Sequence, residues 1–559
     1  MSTFTGLNTM VRGVYINQLA LNTVGHNIVN ADTDGYSRQH VTPVATTPEY
    51  LNGYAVGTGA AAMSVTRARD VYADIQFRSE NSKKGYYESA SINYDKLESV
   101  FNDSTDSGIQ NAMEEFYQAW LYLSVNASDS SSRTAIVQKG KTMSDIIFAV
   151  NEQLRDQVAD KYSDMEAHIE DINEIVGEIA KINGIIIARE SDGKTAANDL
   201  RDQRDELVDK LSNYININVH EVGANYQLST NGVTLISGVD RLHFEFSKGV
   251  SSADYGVDYN VVDYDIKVKE TDIAFRPATG LLRSEMDAVD ECKAYMDKLV
   301  AMAAYMLTAL NDQHKQGYDL TGELARNFYG ETGETYEYHY DKDNDCLFLR
   351  VINDTDGEYK LDKDGNVIEL TGIEILRKLV VNSDFNLTGG YKYIGAATAY
   401  DDGQDYTSTT DMTESGGRMI SWNNRSGDGT NAVYISELFN MNYDSIVSAG
   451  RANVPVITRF AATQSTLNPI GGLSLNAYYK TAMTKLGVDA AAMDMSIEQQ
   501  DLIMEQIQNW RDSTSGVDWN EELADMIKFQ KGFGSCSRCL SAMDECLDRL
   551  VNNTGTVGR

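Results

Sequence analysis

The side chains able to do chemistry are few in this chain and poorly spaced for it. The seven histidines, His26, His40, His168, His220, His243, His314 and His339, stand far apart in sequence. None supplies the i, i+4 imidazole pair of a zinc hydrolase. Cys536 and Cys539 form a CxxC, a spacing that suits a metal thiolate pair or a redox dithiol. No second pair and no nearby histidine completes four ligands, so the motif reads as helix packing. Cys536 falls on an apolar stripe, and Cys539 and Cys546 share the flanking position one heptad apart. With Cys292 and Cys346 the cysteines are too few for a disulfide scaffold.

Two tripeptides imitate the end of a phosphate-binding loop, Gly140-Lys141-Thr142 and Gly193-Lys194-Thr195. The loop needs a glycine five positions earlier, where Ala135 and Ala188 stand, so no nucleotide site is predicted. Gly57-Thr58-Gly59 loosely resembles a dinucleotide fingerprint, but no helix or βαβ unit follows, and a turn into a strand is expected. Asp-rich clusters occur at Asp341, Asp343 and Asp345, at Asp354 and Asp356, and at Asp362 and Asp364. Counting back from Gly357 and Gly365 to the first calcium ligand lands on Ile352 and Lys360, so these are read as turns. No nucleophile elbow occurs. The expectation is no catalytic residue, no metal and no cofactor.

The chain has 559 residues, 48 basic and 83 acidic, for a net charge of −35. That balance disfavours nucleic acid and an anionic membrane as partners. No run of eighteen apolar residues would cross a bilayer. The first residues lack the basic and apolar regions of a cleaved signal peptide, so a cytosolic chain, or export by another route, is expected. Only five prolines are present, none between residues 49 and 276, which permits long helices.

Three apolar seams follow heptad spacing. The first is Leu7, Met10, Val14, Leu21, Val24, Ile28 and Ala31, interrupted at Asn17. The second is Met526, Phe529, Phe533, Cys536, Leu540, Met543, Leu547 and Leu550. The third, Val158, Met165, Ile172, Ile179 and Ile186, lies in a helical region predicted over 130–190 and spans about 43 Å. Further helices are predicted at 70–125, 196–213, 281–314, 476–486 and 495–511. Alternating runs at 215–248, with a hairpin turn at Asn231-Gly232 and another turn at Gly223, predict strands, as does 251–275. Residues 317–430, rich in Tyr, Asp, Gly and Thr, predict an inserted β domain.

The predicted fold class is mainly α with inserted β, elongated and multidomain, with the terminal helices paired in a coiled-coil-like stalk. The predicted division is 1–60 with 515–559, then 61–316 with 431–514, then the 317–430 insertion. An isolated helix cannot bury such a stripe, so both terminal helices need partners. The residues expected at a subunit interface are Leu7, Met10, Val14, Leu21, Val24, Ile28, Phe529, Phe533, Leu540, Met543, Leu547 and Leu550.

The segment Asn27 to Gln39, ending Gly35-Tyr36-Ser37-Arg38-Gln39, resembles the N-terminal signature of bacterial flagellar axial proteins, and within them the hook-associated protein 1 family. Asn198–Leu207, Asn231–Gly238, Thr279–Glu285, Asn311–Leu320, Gly427–Ala432, Trp510–Val517 and Glu521–Gln530 continue the likeness in order. The cysteines of the last helix, Trp519 and the polar tail depart from it. The resemblance implies a homo-oligomeric junction layer between flagellar hook and filament. It implies hook protein on one side, and a second junction protein or flagellin on the other. It also implies an export chaperone on the C-terminal helix, type III export and an extracellular location. Three other readings stay open: a hook or distal-rod subunit, an enzyme within 317–430, or a ligand-binding insertion presenting tyrosines.

Overall fold

The computed structural model describes residues 5–51, 54–101, 108–191, 196–222, 225–249, 259–341, 346–398, 427–441 and 469–552. Helix α1 (Thr5–Val29) leads into a β arm. Strands β1 (Gln39–Ala45) and β4 (Ala60–Arg67) pair antiparallel, and β2 (Glu49–Leu51) and β3 (Tyr54–Val56) extend the arm to its tip. The helical body follows: α2 (Val71–Phe101), α3 (Ile109–Val125), α4 (Ser130–Arg189) and α5 (Asn198–Tyr214). α4 runs 60 residues, about 90 Å, because no proline interrupts it and Asp129 caps its start by accepting from the Ser132 amide. Its predicted seam is the core: Val158, Ile172 and Ile179 are completely buried.

A four-stranded meander follows, β5 (Asn218–Val222), β6 (Asn225–Thr230), β7 (Val233–Ser237) and β8 (Asp240–Arg241). A three-stranded sheet comes next, β9 (Phe244–Lys248), β10 (Tyr264–Val268) and β11 (Ile273–Ala274). Asn231 and Gly232 both take positive φ, 42° and 85°, in the hairpin turn between β6 and β7, as that dipeptide predicts. The turn predicted at Gly223 lies outside the described residues.

α6 (Leu281–Tyr305) continues through a π-helical turn at 306–310 into α7 (Asn311–Lys315). The insertion contributes β12 (Glu334–Asp341), β13 (Cys346–Asn353) and β14 (Glu369–Thr371), with α8 (Gly372–Lys378) capped by Thr371 and Glu374. α9 (Thr430–Asn440), α10 (Leu475–Ser515) and α11 (Trp519–Asn552) follow among the described residues. The predicted class holds: mainly α, small antiparallel sheets, and terminal helices α1 and α11 paired antiparallel.

Two expectations are corrected in detail. The region predicted as one helix over 70–125 gives α2 and α3, with 102–107 outside the described residues. The two helices predicted at 476–486 and 495–511 are one, α10, which runs through Gly487 because a helix tolerates one glycine at about 1 kcal/mol. The lysine-containing Gly140 tripeptide is a packing device. A Cβ at Gly140 would sit 2.5 Å from the Phe328 ring, and the Gly140 carbonyl accepts from the Tyr329 hydroxyl at 2.9 Å. The second tripeptide, at Gly193, lies outside the described residues.

Candidate functional site

Two features stand out, a polar joint and the helix pair that hangs from it. The joint forms where the turn after α1 meets α5 and the α10–α11 boundary. Asn27 is 1% exposed, and its amide is fully used. It donates to the Gln39 carbonyl at 2.9 Å and to Glu522 at 3.1 Å, and accepts from the Gln39 amide and the Tyr36 hydroxyl. Ser37 donates its hydroxyl and amide to Asp202. The Gln39 side chain donates to Asp199 at 2.9 Å, and Arg38 bridges to Glu521 at 2.8 Å and Glu522 at 2.6 Å.

Behind this row lies a buried ion network. Asp202, Asp205 and Asp209 occupy one face of α5 at steps of three and four. Arg67 bridges Asp202 and Asp205 at 2.7 and 2.9 Å. Arg69 joins Asp205 to Asp74, Arg78 reaches Asp209 at 2.7 Å, and Arg511 closes the ring on Asp209 and Asp74. Burial alone would raise the Asp205 pKa; Arg69, Arg67 and Arg78 hold it below the usual carboxylate range instead. Burial, with Asp199, Asp202 and Glu522 nearby, pushes the Tyr36 phenol upward, so it serves as a hydrogen-bond donor. Removing one member of such a network leaves an uncompensated buried charge, at about 3–5 kcal/mol.

Sequence reading missed this network, because a lone charge on a helix reads as a solvated face. A signal was nonetheless present. The aspartates repeat on one face of α5, and Arg67 and Arg69 alternate at the exit of a strand.

The terminal pair is different in kind. Gly6 and Gly13, one heptad apart on α1, face Met543 and Cys536, one heptad apart on α11. A Cβ at either glycine would lie 2.9 Å from its neighbour. Gly532 gives the same close approach to Asn17, whose amide donates to the Gly13 carbonyl. Of the twelve residues expected at an interface, Val24 is buried. Leu7, Met10, Val14, Leu21, Ile28, Phe529, Phe533, Leu540, Met543 and Leu547 are half-buried. The Leu550 side chain lies outside the described residues. More exposed are residues not singled out from sequence: Tyr15 at 67%, Ile527 at 54% and Leu523 at 46%. Cys536 packs on Gly13, whereas Cys539 and Cys546 are exposed, a partial departure from the packing expected of all three.

The candidate chemical groups are taken up elsewhere in the fold. Burial pushes the Cys292 thiol up to about 12. His314 is wholly buried; it contacts the Arg326 carbonyl through Nδ1 and accepts the Gly395 amide through Nε2. Asp354 pairs with Lys315 at 2.7 Å, and Asp362 closes its own turn by accepting from the Asp364 and Asn366 amides. Among the described residues no cluster of His, Cys, Asp or Glu is arranged to hold a metal ion. No described helix is long and apolar enough to cross a membrane.

Helices α1 and α11 pair in an open hairpin, keyed by a salt-bridged joint to the helical body. Comparison with known proteins finds likenesses among flagellar axial proteins. Residues 94–329 match the family model "Flagellar hook-associated protein FlgK helical domain", and residues 511–553 match "Flagellar basal body rod FlgEFG protein C-terminal". Flagellar hook-associated protein 1 of Bacillus subtilis is 24% identical, with all of both chains covered. That of Escherichia coli is 23% identical over 98% of this chain and 99% of its own. The solved structure of the flagellar hook junction protein FlgK from Burkholderia pseudomallei shares the fold. Its TM-score is 0.54 at 15% identity, covering 79% of this chain and 100% of that one. Over nearly its full length the chain is similar to the hook-associated protein 1 of these bacteria.

Proposed function

We propose that this protein is a structural subunit of the bacterial flagellum that forms the junction between hook and filament and is needed for the filament to assemble on the hook. The observation that carries the reading is the end-to-end likeness to hook-associated protein 1 of several bacteria. The work of such a subunit is packing, and no enzymatic activity is assigned to it. Leu7, Met10, Val14, Leu21, Val24, Ile28, Phe529, Phe533, Leu540, Met543, Leu547 and Leu550 are proposed to complete their burial against neighbouring copies. Half-burial of ten of them in the lone chain supports this. The partners are further copies, hook protein below, and a second junction protein or flagellin above. A chaperone covers α11 before export, and the subunit acts outside the cell after type III export. The working division is a terminal domain (1–60 with 515–559), a rod domain (61–316 with 431–514) and a variable domain (317–430).

The C-terminal match to rod proteins gives the test a second outcome. In a clean deletion strain, electron microscopy is expected to show hooks without filaments, with monomeric flagellin in the medium. Loss of the hooks as well would assign the chain to rod or hook. Normal filaments would refute the structural role.

A further inference from the structure

The β arm has a composition unlike the rest of the chain. From Gln39 to Thr66 its only formally charged side chain is Glu49, although 23% of the whole chain is charged. Its tip carries two aromatic rings in the open, Tyr50 at 78% and Tyr54 at 77% exposed. Met63, at 72%, stands further down the arm. Neighbouring aromatic and aliphatic side chains left in water mark an interaction site. Beside them, between the arm and α1, runs a groove of about 780 Å³ lined by Arg12, Val44, Pro48, Ala61 and Met63, with Glu49 at its wall. Arg12 is held at its wall by donating to the Thr46 hydroxyl and the Thr58 carbonyl, both at 3.1 Å.

We propose that the arm is a connector between copies of this chain: the Tyr50–Tyr54 tip of one copy seats in the Arg12-lined groove of the next. This rests on the homo-oligomeric junction proposed above and names the surface that builds it. Charge selects the occupant. Two bodies that each carry a net −35 repel, so contact between copies favours a surface stripped of charge, and the arm is such a surface. The groove also offers what a phenol ring wants, apolar contact from Val44, Pro48, Ala61 and Met63, threonine hydroxyls for its own, and a guanidinium to lie against. Tip and groove are different surfaces, so the contact is heterologous. Each copy offers one of each, and the contact propagates around a ring or along a helix rather than stopping at a dimer.

The test uses the full chain in its own bacterium, with the photo-reactive residue p-benzoylphenylalanine in place of Tyr54. Irradiation of assembled flagella is expected to give an adduct between two copies. Mass spectrometry is expected to map it to the partner's 44–63 segment or α1. An adduct with a different protein, or no adduct on cells that bear filaments, would overturn the proposal. In parallel, the Tyr50→Asp/Tyr54→Asp variant is expected to cut filament number by about tenfold or more, with secretion and melting temperature unchanged. Native filament numbers would overturn the connector while leaving the junction role intact. That role stands or falls on the deletion strain alone.

Discussion

The helical body and the terminal helix pair are built from the same seven-residue arithmetic, yet they are finished to different degrees. In α4 the seam from Val158 to Ile186 is no more than 4% exposed at any position. In α11 the only buried side chain among the described residues is Glu522, and in α1 the buried ones all fall between Ala20 and Asn27. Both sets lie at the joint end. Heptad spacing therefore says that a helix wants a partner, not that its own chain supplies all of it. The body meets that need internally; the hairpin meets it near the joint and leaves it open further out.

This contrast can be broken or sharpened by experiment. Trp120 is wholly buried among Phe116, Phe328 and His314, so Trp120→Ala is expected to cost about 3–5 kcal/mol in urea unfolding. A smaller loss would mean the body is less complete than its burial indicates. Asp205→Ala, which takes one carboxylate partner from each of Arg67, Arg69 and Arg78, is expected to cost about 3 kcal/mol and to free α1 and α11 to hydrogen exchange together. Exchange confined to α5 would separate the joint from the hairpin.

Acid should act on the body through His314. Burial, with the Arg133 cation adding to it, lowers its pKa to about 4. The unfolded chain therefore binds this proton first. The stability from keeping His314 neutral is fully present above about pH 6.5 and is lost as pH falls towards 4, by about 3 kcal/mol in all. His314→Gln is expected to flatten the stability profile in that window. Gly13→Leu, which forces a side chain onto Cys536, is expected to cost about 1–3 kcal/mol and to splay the hairpin, read by exchange in α1. The smallest effect on the fold belongs to Leu540→Ala, at about 1 kcal/mol or less for a half-buried side chain. Filament assembly should nonetheless suffer, and normal assembly would place the interface on the Tyr15 and Ile527 faces instead.

The sequence made the heptad elements legible because burial repeats locally. α1, α4, α11 and the Asn231-Gly232 hairpin needed only neighbours in the chain to be seen. The β arm was half visible, as a turn at Gly57–Gly59 entering a strand, because its pairing partner lies across the tip. The ion network was invisible as a unit. Its members come from α2, α5, α10 and the strand exit near Arg67, and only folding brings Arg511 to Asp74. The twelve stripe residues illustrate a subtler limit. Periodicity locates an apolar face but not the share of it left for another molecule.

The joint also sets an order of events. Asn27 and Glu522 are separated by 495 positions, and closing so long a loop in a free chain would be entropically unfavourable. Once the body has folded, Ser37 on Asp202 and Arg511 on Asp209 already hold the two strands of the hairpin side by side. The remaining closure is then a short one, and the hairpin can zip outward from Glu522 towards Gly6. A chain emerging end first from a narrow channel would thus keep its first helix unlatched until its last helix has arrived. Pulse-labelled hydrogen exchange should accordingly find protection appearing at Val24 before Met10.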